Sequence, residues 1–99
     1  MASIRSLKKD INFLTSELVT QAYLNQFLFK KISDEELAKY IGEALDFRNK
    51  FIERTNHPDG KDNSKLVRGY YKNLRKEMVE QFANQYETLA QQLNEQSNQ

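Results

Sequence analysis

Apolar residues return every three or four positions along almost the whole of this chain, and that spacing leaves little besides helices for it to fold into. Ile4, Leu7, Ile11, Leu14 and Leu18 fall on one stripe of a helix, since steps of three and four track the 3.6-residue turn. Ser3 is the predicted N-cap. The single-face pattern ends near Gln26, where Leu24, Phe27, Leu28 and Phe29 make the chain apolar all round. Ser33 followed by Glu36 spells a capping box, with Asp34, Glu35 and Glu36 suited to a helix dipole. Leu37, Tyr40, Ile41, Ala44, Leu45, Phe51 and Ile52 then keep the helical period, which predicts a second helix to about Arg54. Tyr40, Phe47 and Phe51 edge one flank of its apolar arc, Leu45 and Ile52 the other.

Asn56-His57-Pro58-Asp59-Gly60 carries the only proline and a Pro-Asp-Gly turn signal, so it reads as a loop. Asn63 or Ser64 caps a third helix. Its apolar face, from Leu66, Val67, Tyr70, Tyr71 and Leu74 through Met78, Phe82, Tyr86, Leu89 and Leu93, runs for roughly eight turns, about 45 Å. No strand-like alternation or internal repeat competes. The expected fold is all-α, three long amphipathic helices in an up-down-up bundle. The alternative is a looser array of four to five helices with extra breaks at Phe27 to Ile32 and at Gly69. Residues 1–93 form one domain on this reading, and 94–99 a polar tail, rich in Asn and Gln, that frays or serves a partner.

With 99 residues and no cysteine, the chain has neither a disulfide framework nor a thiolate metal site, and a reducing cytoplasm is the expected compartment. No apolar run resembles a signal peptide or approaches the ~20 residues of a membrane span. A formal net charge of +1 gives no overall pull toward nucleic acid, so position matters more than total.

The segment Ile4-Arg5-Ser6-Leu7-Lys8-Lys9-Asp10-Ile11-Asn12-Phe13-Leu14, with Ala44-Leu45-Asp46-Phe47-Arg48-Asn49 and Asn56-His57-Pro58-Asp59-Gly60, resembles a small all-helical protein family of Bacteroides-type bacteria. The resemblance covers nearly the whole chain. It implies a helical fold and assigns no activity, cofactor or site residue.

Candidate chemistry is sparse. His57 beside Asp59 suggests a His-Asp general base or half a metal site, but a lone loop histidine next to proline is more often a solvated or C-cap residue. Asp59-Gly60-Lys61-Asp62-Asn63 fails as a calcium loop. With Gly60 aligned to the loop glycine, Thr55 and His57 fall at ligand positions and Leu66 where the bidentate acid belongs. No catalytic, cofactor or metal site is expected, and the chain is read as no enzyme.

Three surface features remain. Arg48 falls within the apolar arc of the second helix, where a charge wants a mate, and antiparallel packing offers Glu17 or Asp10 as a structural ion pair. Lys65, Arg68, Lys72, Arg75 and Lys76 form a basic stripe whose first cations oppose the helix dipole. The start of that stripe, Lys65 and Arg68 with Lys72 next along it, gathers with Arg5, Lys8, Lys9, Lys50, Arg54 and Lys61 at one bundle end, an expected patch for nucleic acid or another polyanion, with Tyr70 and Tyr71 as stacking candidates. Phe13, Leu24, Phe27 and Leu28 point away from the main stripe of the first helix. Either the connection from Phe29 to Ile32 covers them, or they are the candidate interface for a protein partner or a second copy.

Overall fold

A computed structural model describes residues 4–58 and 63–97. Helix α1 spans Ile4–Tyr23 and passes without interruption into a π-turn at Leu24–Leu28; α2 spans Asp34–Asn56 and α3 Ser64–Ser97. The fold is all-α with three helices running up, down and up, and the described residues contain no strand. None of these helices is long and apolar enough to cross a membrane. Ser3 and Lys61 lie outside the described residues.

Local chemistry sets the helix ends. Ser33 Oγ accepts from the Glu36 backbone N–H at 3.1 Å while the Glu36 carboxylate accepts from the Ser33 N–H at 3.3 Å, completing the capping box. Asn63 caps α3, its Oδ1 accepting from the backbone N–H groups of Lys65 and Leu66 at 3.0 and 3.2 Å. Helix α2 runs two residues beyond Arg54, and His57 closes it by donating its backbone N–H to the Glu53 carbonyl, 3.1 Å away. The last turn leaves the carbonyls of Arg54 and Thr55 in need of donors. The hydroxyls of Tyr70 and Tyr71 supply them at 2.6 and 2.8 Å.

The core is a seam between three apolar stripes. Leu7, Ile11, Leu18 and Ala22 come from α1, Leu37, Ala44, Phe47 and Phe51 from α2, and Leu74, Met78 and Leu89 from α3, with Ile32 closing the α1–α2 connection. Phe47 and Phe51 lie tilted with ring centroids 5.1 Å apart. Two buried threonines sit among them, and each satisfies its own hydroxyl by donating one turn back: Thr15 to Ile11 at 2.8 Å and Thr55 to Phe51 at 2.7 Å.

The structure revises several expectations from periodicity. Phe47 and Phe51 occupy the centre of the α2 arc rather than its edge, and Leu45 faces solvent. Leu66 is exposed as well, in the first turn of α3. Gly69 makes no break: α3 passes through it and continues to Ser97, four residues into the expected tail. At 1.5 Å per residue its 34 residues reach about 50 Å, close to the longest dimension of the molecule, 55 × 20 × 18 Å. The radius of gyration is 16.0 Å, against about 13 Å for a rounded chain of this length. A rod this slender exposes much side surface relative to its core.

Candidate interaction surface

The inward stripe of α1 runs Leu7, Ile11, Thr15, Leu18, Ala22 and then Asn25. Asn25 is fully buried, and its amide is used on both sides: Nδ2 donates to the Leu89 carbonyl of α3 at 3.1 Å, and Oδ1 accepts from Gln21 Nε2 at 2.8 Å. The next step of the stripe, four residues on, would carry Phe29 into the core. It does not, because the chain widens there into the π-turn. The Phe29 N–H donates to Leu24 O at 3.1 Å, five residues back, and the Lys31 N–H to Asn25 O at 2.8 Å. Lys30 takes a left-handed conformation, φ 54°, and Ile32 enters the core instead.

The consequence is an apolar cluster at the end of α1 facing away from the bundle. Leu28 is 66% exposed, Phe27 65%, Phe29 47%, Tyr23 43% and Leu24 38%. Tyr23 and Phe27, one turn apart, stack with centroids 5.5 Å apart and planes 10° from parallel. Phe13, 61% exposed, lies eleven residues before Leu24, about 16 Å along the axis. Polar Glu17 and Thr20 intervene, both exposed. All four sequence-identified interface residues are thus at the surface, but only three adjoin. Sequence reasoning missed Tyr23 and Phe29. A stacking pair at i, i+4 signals the first; nothing in a 3.6-residue period signals the second.

Side-chain hydrogen bonds cross between the helices at this end, although the amide oxygens of Gln26 and Gln92 are buried with no hydrogen-bond partner among the described residues. Gln26 Nε2 donates to Asp34 Oδ1, Gln92 Nε2 to Glu36 Oε2 at 3.4 Å, and the Tyr86 hydroxyl to Gln21 Oε1 at 3.3 Å. These bonds connect α1, the start of α2 and α3, so the cluster sits on a braced platform.

The opposite end brings together the starts of α1 and α3 and the finish of α2, as the Tyr70–Arg54 bond and the Asp10–Arg75 ion pair at 3.1 Å require. Its cations are only partly free. Arg54 is clamped by Glu77 and lies over the rings of Phe51 and Tyr70. Burial works against its charge, yet hydrogen bonds with Glu77 and Tyr70 hold its pKa above the ordinary arginine value. Lys50 donates to Gln81 Oε1 at 2.8 Å. Arg5, Lys9, Lys65, Arg68 and Lys72 are exposed and Lys8 partly so. Tyr70 and Tyr71 are no stacking platform: both are partly buried, edge to face at 5.5 Å, with their hydroxyls spent on α2.

Arg48 finds a neutral mate rather than Glu17 or Asp10. Its Nε donates to Asn12 Oδ1 at 2.8 Å and its terminal nitrogen to Asn49 Oδ1 at 3.4 Å. Asp10 is drawn to Arg75 on the third helix instead, a contact that two-helix reasoning could not foresee. Arg48 therefore reaches a rim of amides and avoids burying its charge. His57 serves as the α2 C-cap, and Asp59, its imagined partner, lies outside the described residues. Among the described residues no three His, Cys, Asp or Glu side chains gather as metal ligands would. Comparison with known proteins finds no matching family model, no matching curated protein and no matching solved structure.

Proposed function

We propose that this protein is a non-enzymatic helical interaction module that associates with itself through the apolar end of α1. The observation that carries this reading is the contiguous cluster of Tyr23, Leu24, Phe27, Leu28 and Phe29, all exposed. Five large side chains, each about half uncovered, present on the order of 500 Å² of apolar surface. That is toward the upper end of the largest patch on an ordinary monomer. Left in water it forgoes stabilisation, since burying apolar surface is worth about 25 cal/mol per Å². A partner surface would recover that energy. A cysteine-free module of this kind suits a reducing cytoplasm.

Sedimentation velocity from low to high micromolar concentration tests the reading. The wild-type chain is expected to shift toward a dimer or higher species, and a Phe27→Ser, Leu28→Ser double variant to remain monomeric with unchanged helix content. A wild-type chain that stays monomeric throughout rejects it.

A second reading, binding of nucleic acid or another polyanion, is favoured by one observation. Lys65, Arg68, Lys72 and Lys76 are exposed along α3, and among the described residues none of the four forms an ion pair. Affinity for a generic duplex should then fall steeply with salt and with charge reversal at Lys65, Arg68 and Lys72. Binding that ignores both changes eliminates this reading.

A further inference from the structure

Building on the self-association reading, we propose that two copies pair along the outer face of α1, antiparallel, with a two-fold axis passing beside Thr20. Phe13, Thr20 and Phe27 are seven residues apart, two turns each, so they share one side of the helix. Phe13 and Phe27 are both exposed, 61% and 65%, and the stack of Phe27 on Tyr23, one turn before it, holds Phe27 beside the outward side of α1 as the π-turn begins. In an antiparallel pair centred on Thr20, residue 20 meets its own copy and residue 13 meets residue 27. The isolated Phe13 of each chain then lands on Phe27 of the other. In this arrangement the dyad passes through the polar gap that separates Phe13 from the cluster on its own chain.

Area and charge favour the same arrangement. With Phe13 included, each copy contributes about 600 Å² of apolar surface, to which Thr20 at the dyad and Glu17 with the flanking polar groups add further area. A standard stable interface buries about 800 Å² per partner. The end cluster used alone would leave Phe13 in water. A parallel pairing would set the cationic start of α1, Arg5 and Lys9, against the same residues of the second copy. The antiparallel one brings Arg5 and Lys9 toward the opposite end of the second copy, where Gln26 holds Asp34 and where Glu35 is exposed. The same register sets Lys9 against Lys31 and Asp10 against Lys30 of the second copy, so charge disfavours the parallel pairing more than it draws the antiparallel pair together. Thr20, small and exposed, admits the helix axes to the 8–10 Å separation of ordinary helix packing.

The absence of cysteine makes the arrangement directly testable by cross-linking. Thr20→Cys, treated with a short bis-maleimide, is expected to form covalent dimer about tenfold or more faster than Lys72→Cys on α3, because the interface raises the local thiol concentration. A mixture of Glu17→Cys and Tyr23→Cys chains, whose positions also face each other across the dyad, should cross-link between the two variants faster than Lys72→Cys does. These chains cover the case of a Thr20 variant that folds poorly, which circular dichroism would reveal. A chain that dimerises by sedimentation, but whose Thr20→Cys form reacts no faster than Lys72→Cys, overturns the two-fold arrangement and leaves self-association standing. A chain that is monomeric at every concentration overturns both.

Discussion

The side-chain amide of Asn25 donates to the backbone carbonyl of Leu89, 3.1 Å away and 64 positions along the chain. This bond clips the end of α1 to the far part of α3, just where the π-turn begins. Asn25→Leu keeps the approximate size and deletes both of its hydrogen bonds, leaving the Gln21 amide without its acceptor. A cost of about 1–3 kcal/mol is expected in urea denaturation. Amide hydrogen exchange should accelerate around residues 85–92 more than around Leu74. Uniform exchange along α3 would show that Asn25 is no local clip.

Tyr70 and Tyr71 act as a paired C-cap supplied by a neighbouring helix. Removing either hydroxyl by Tyr→Phe strands one α2 carbonyl, and each substitution is expected to cost about 1 kcal/mol. Burial, and then the neighbouring Tyr70, raise the Tyr71 pKa; burial, and then the carboxylates of Glu36 and Glu43, raise that of Tyr40. A phenol whose folded pKa exceeds its unfolded value holds its proton longer in the folded chain. Its contribution is therefore intact below the ordinary tyrosine pKa of about 10 and lost as the pH climbs through the folded value. Unfolding followed from pH 9 to 12 should show this fall, and it should be shallower in a Tyr40→Phe, Tyr71→Phe chain. An equally steep fall in that chain would assign the alkaline loss to other groups.

Two backbone positions are not at their stability optimum. A Cβ added at Gly69 meets nothing within 4 Å, and the residue lies inside α3, so Gly69→Ala should stabilise by roughly 0.5–1 kcal/mol. Lys30, at φ 54°, carries the left-handed strain of a residue with a Cβ. Lys30→Gly should relieve about 1 kcal/mol, less the entropy glycine adds to the unfolded chain. Guanidinium midpoints decide both. A Gly69→Ala chain no more stable than wild type would mean that the glycine has a role beyond the helix.

Much of this was legible in the sequence for one reason: a helix buries one face, and a stripe of Leu7, Ile11 and Leu18 marks that face without reference to anything distant. The capping box at Ser33 and the cap at Asn63 are local in the same sense. What escaped is nonlocal. The sequence marks Leu24, Phe27, Leu28 and Phe29 only as apolar all round, and the hydrogen bonds of the π-turn, with Asn25 held by Leu89, are what turn Phe29 outward. The partner of Asp10 lies 65 residues away on α3, and Arg48 is left to the amides of Asn12 and Asn49. The tyrosine pair reads as a stacking surface until the unsatisfied carbonyls of α2 are seen beside it. The outward character of Phe13, Leu24, Phe27 and Leu28 was legible because they fall off the stripe, and the eleven residues between Phe13 and Leu24 already set the two apart along the helix.

Large apolar residues in this molecule have two separable fates, and stability measurements can tell them apart. Phe47 is wholly buried, so Phe47→Ala should cost about 3–5 kcal/mol at any protein concentration, from lost transfer energy and an unfilled cavity. Leu28 is two-thirds exposed and touches little of the core, so Leu28→Ser should leave the isolated chain within about 0.5 kcal/mol of wild type. Association changes that balance by mass action: whatever binds only the folded chain raises its apparent stability as its concentration rises. The wild-type thermal midpoint is therefore expected to climb with protein concentration, the Phe47→Ala midpoint to lie lower and still climb, and the Leu28→Ser midpoint to stay flat. A flat wild-type midpoint would instead place the apolar end of α1 among surfaces that the monomer simply tolerates.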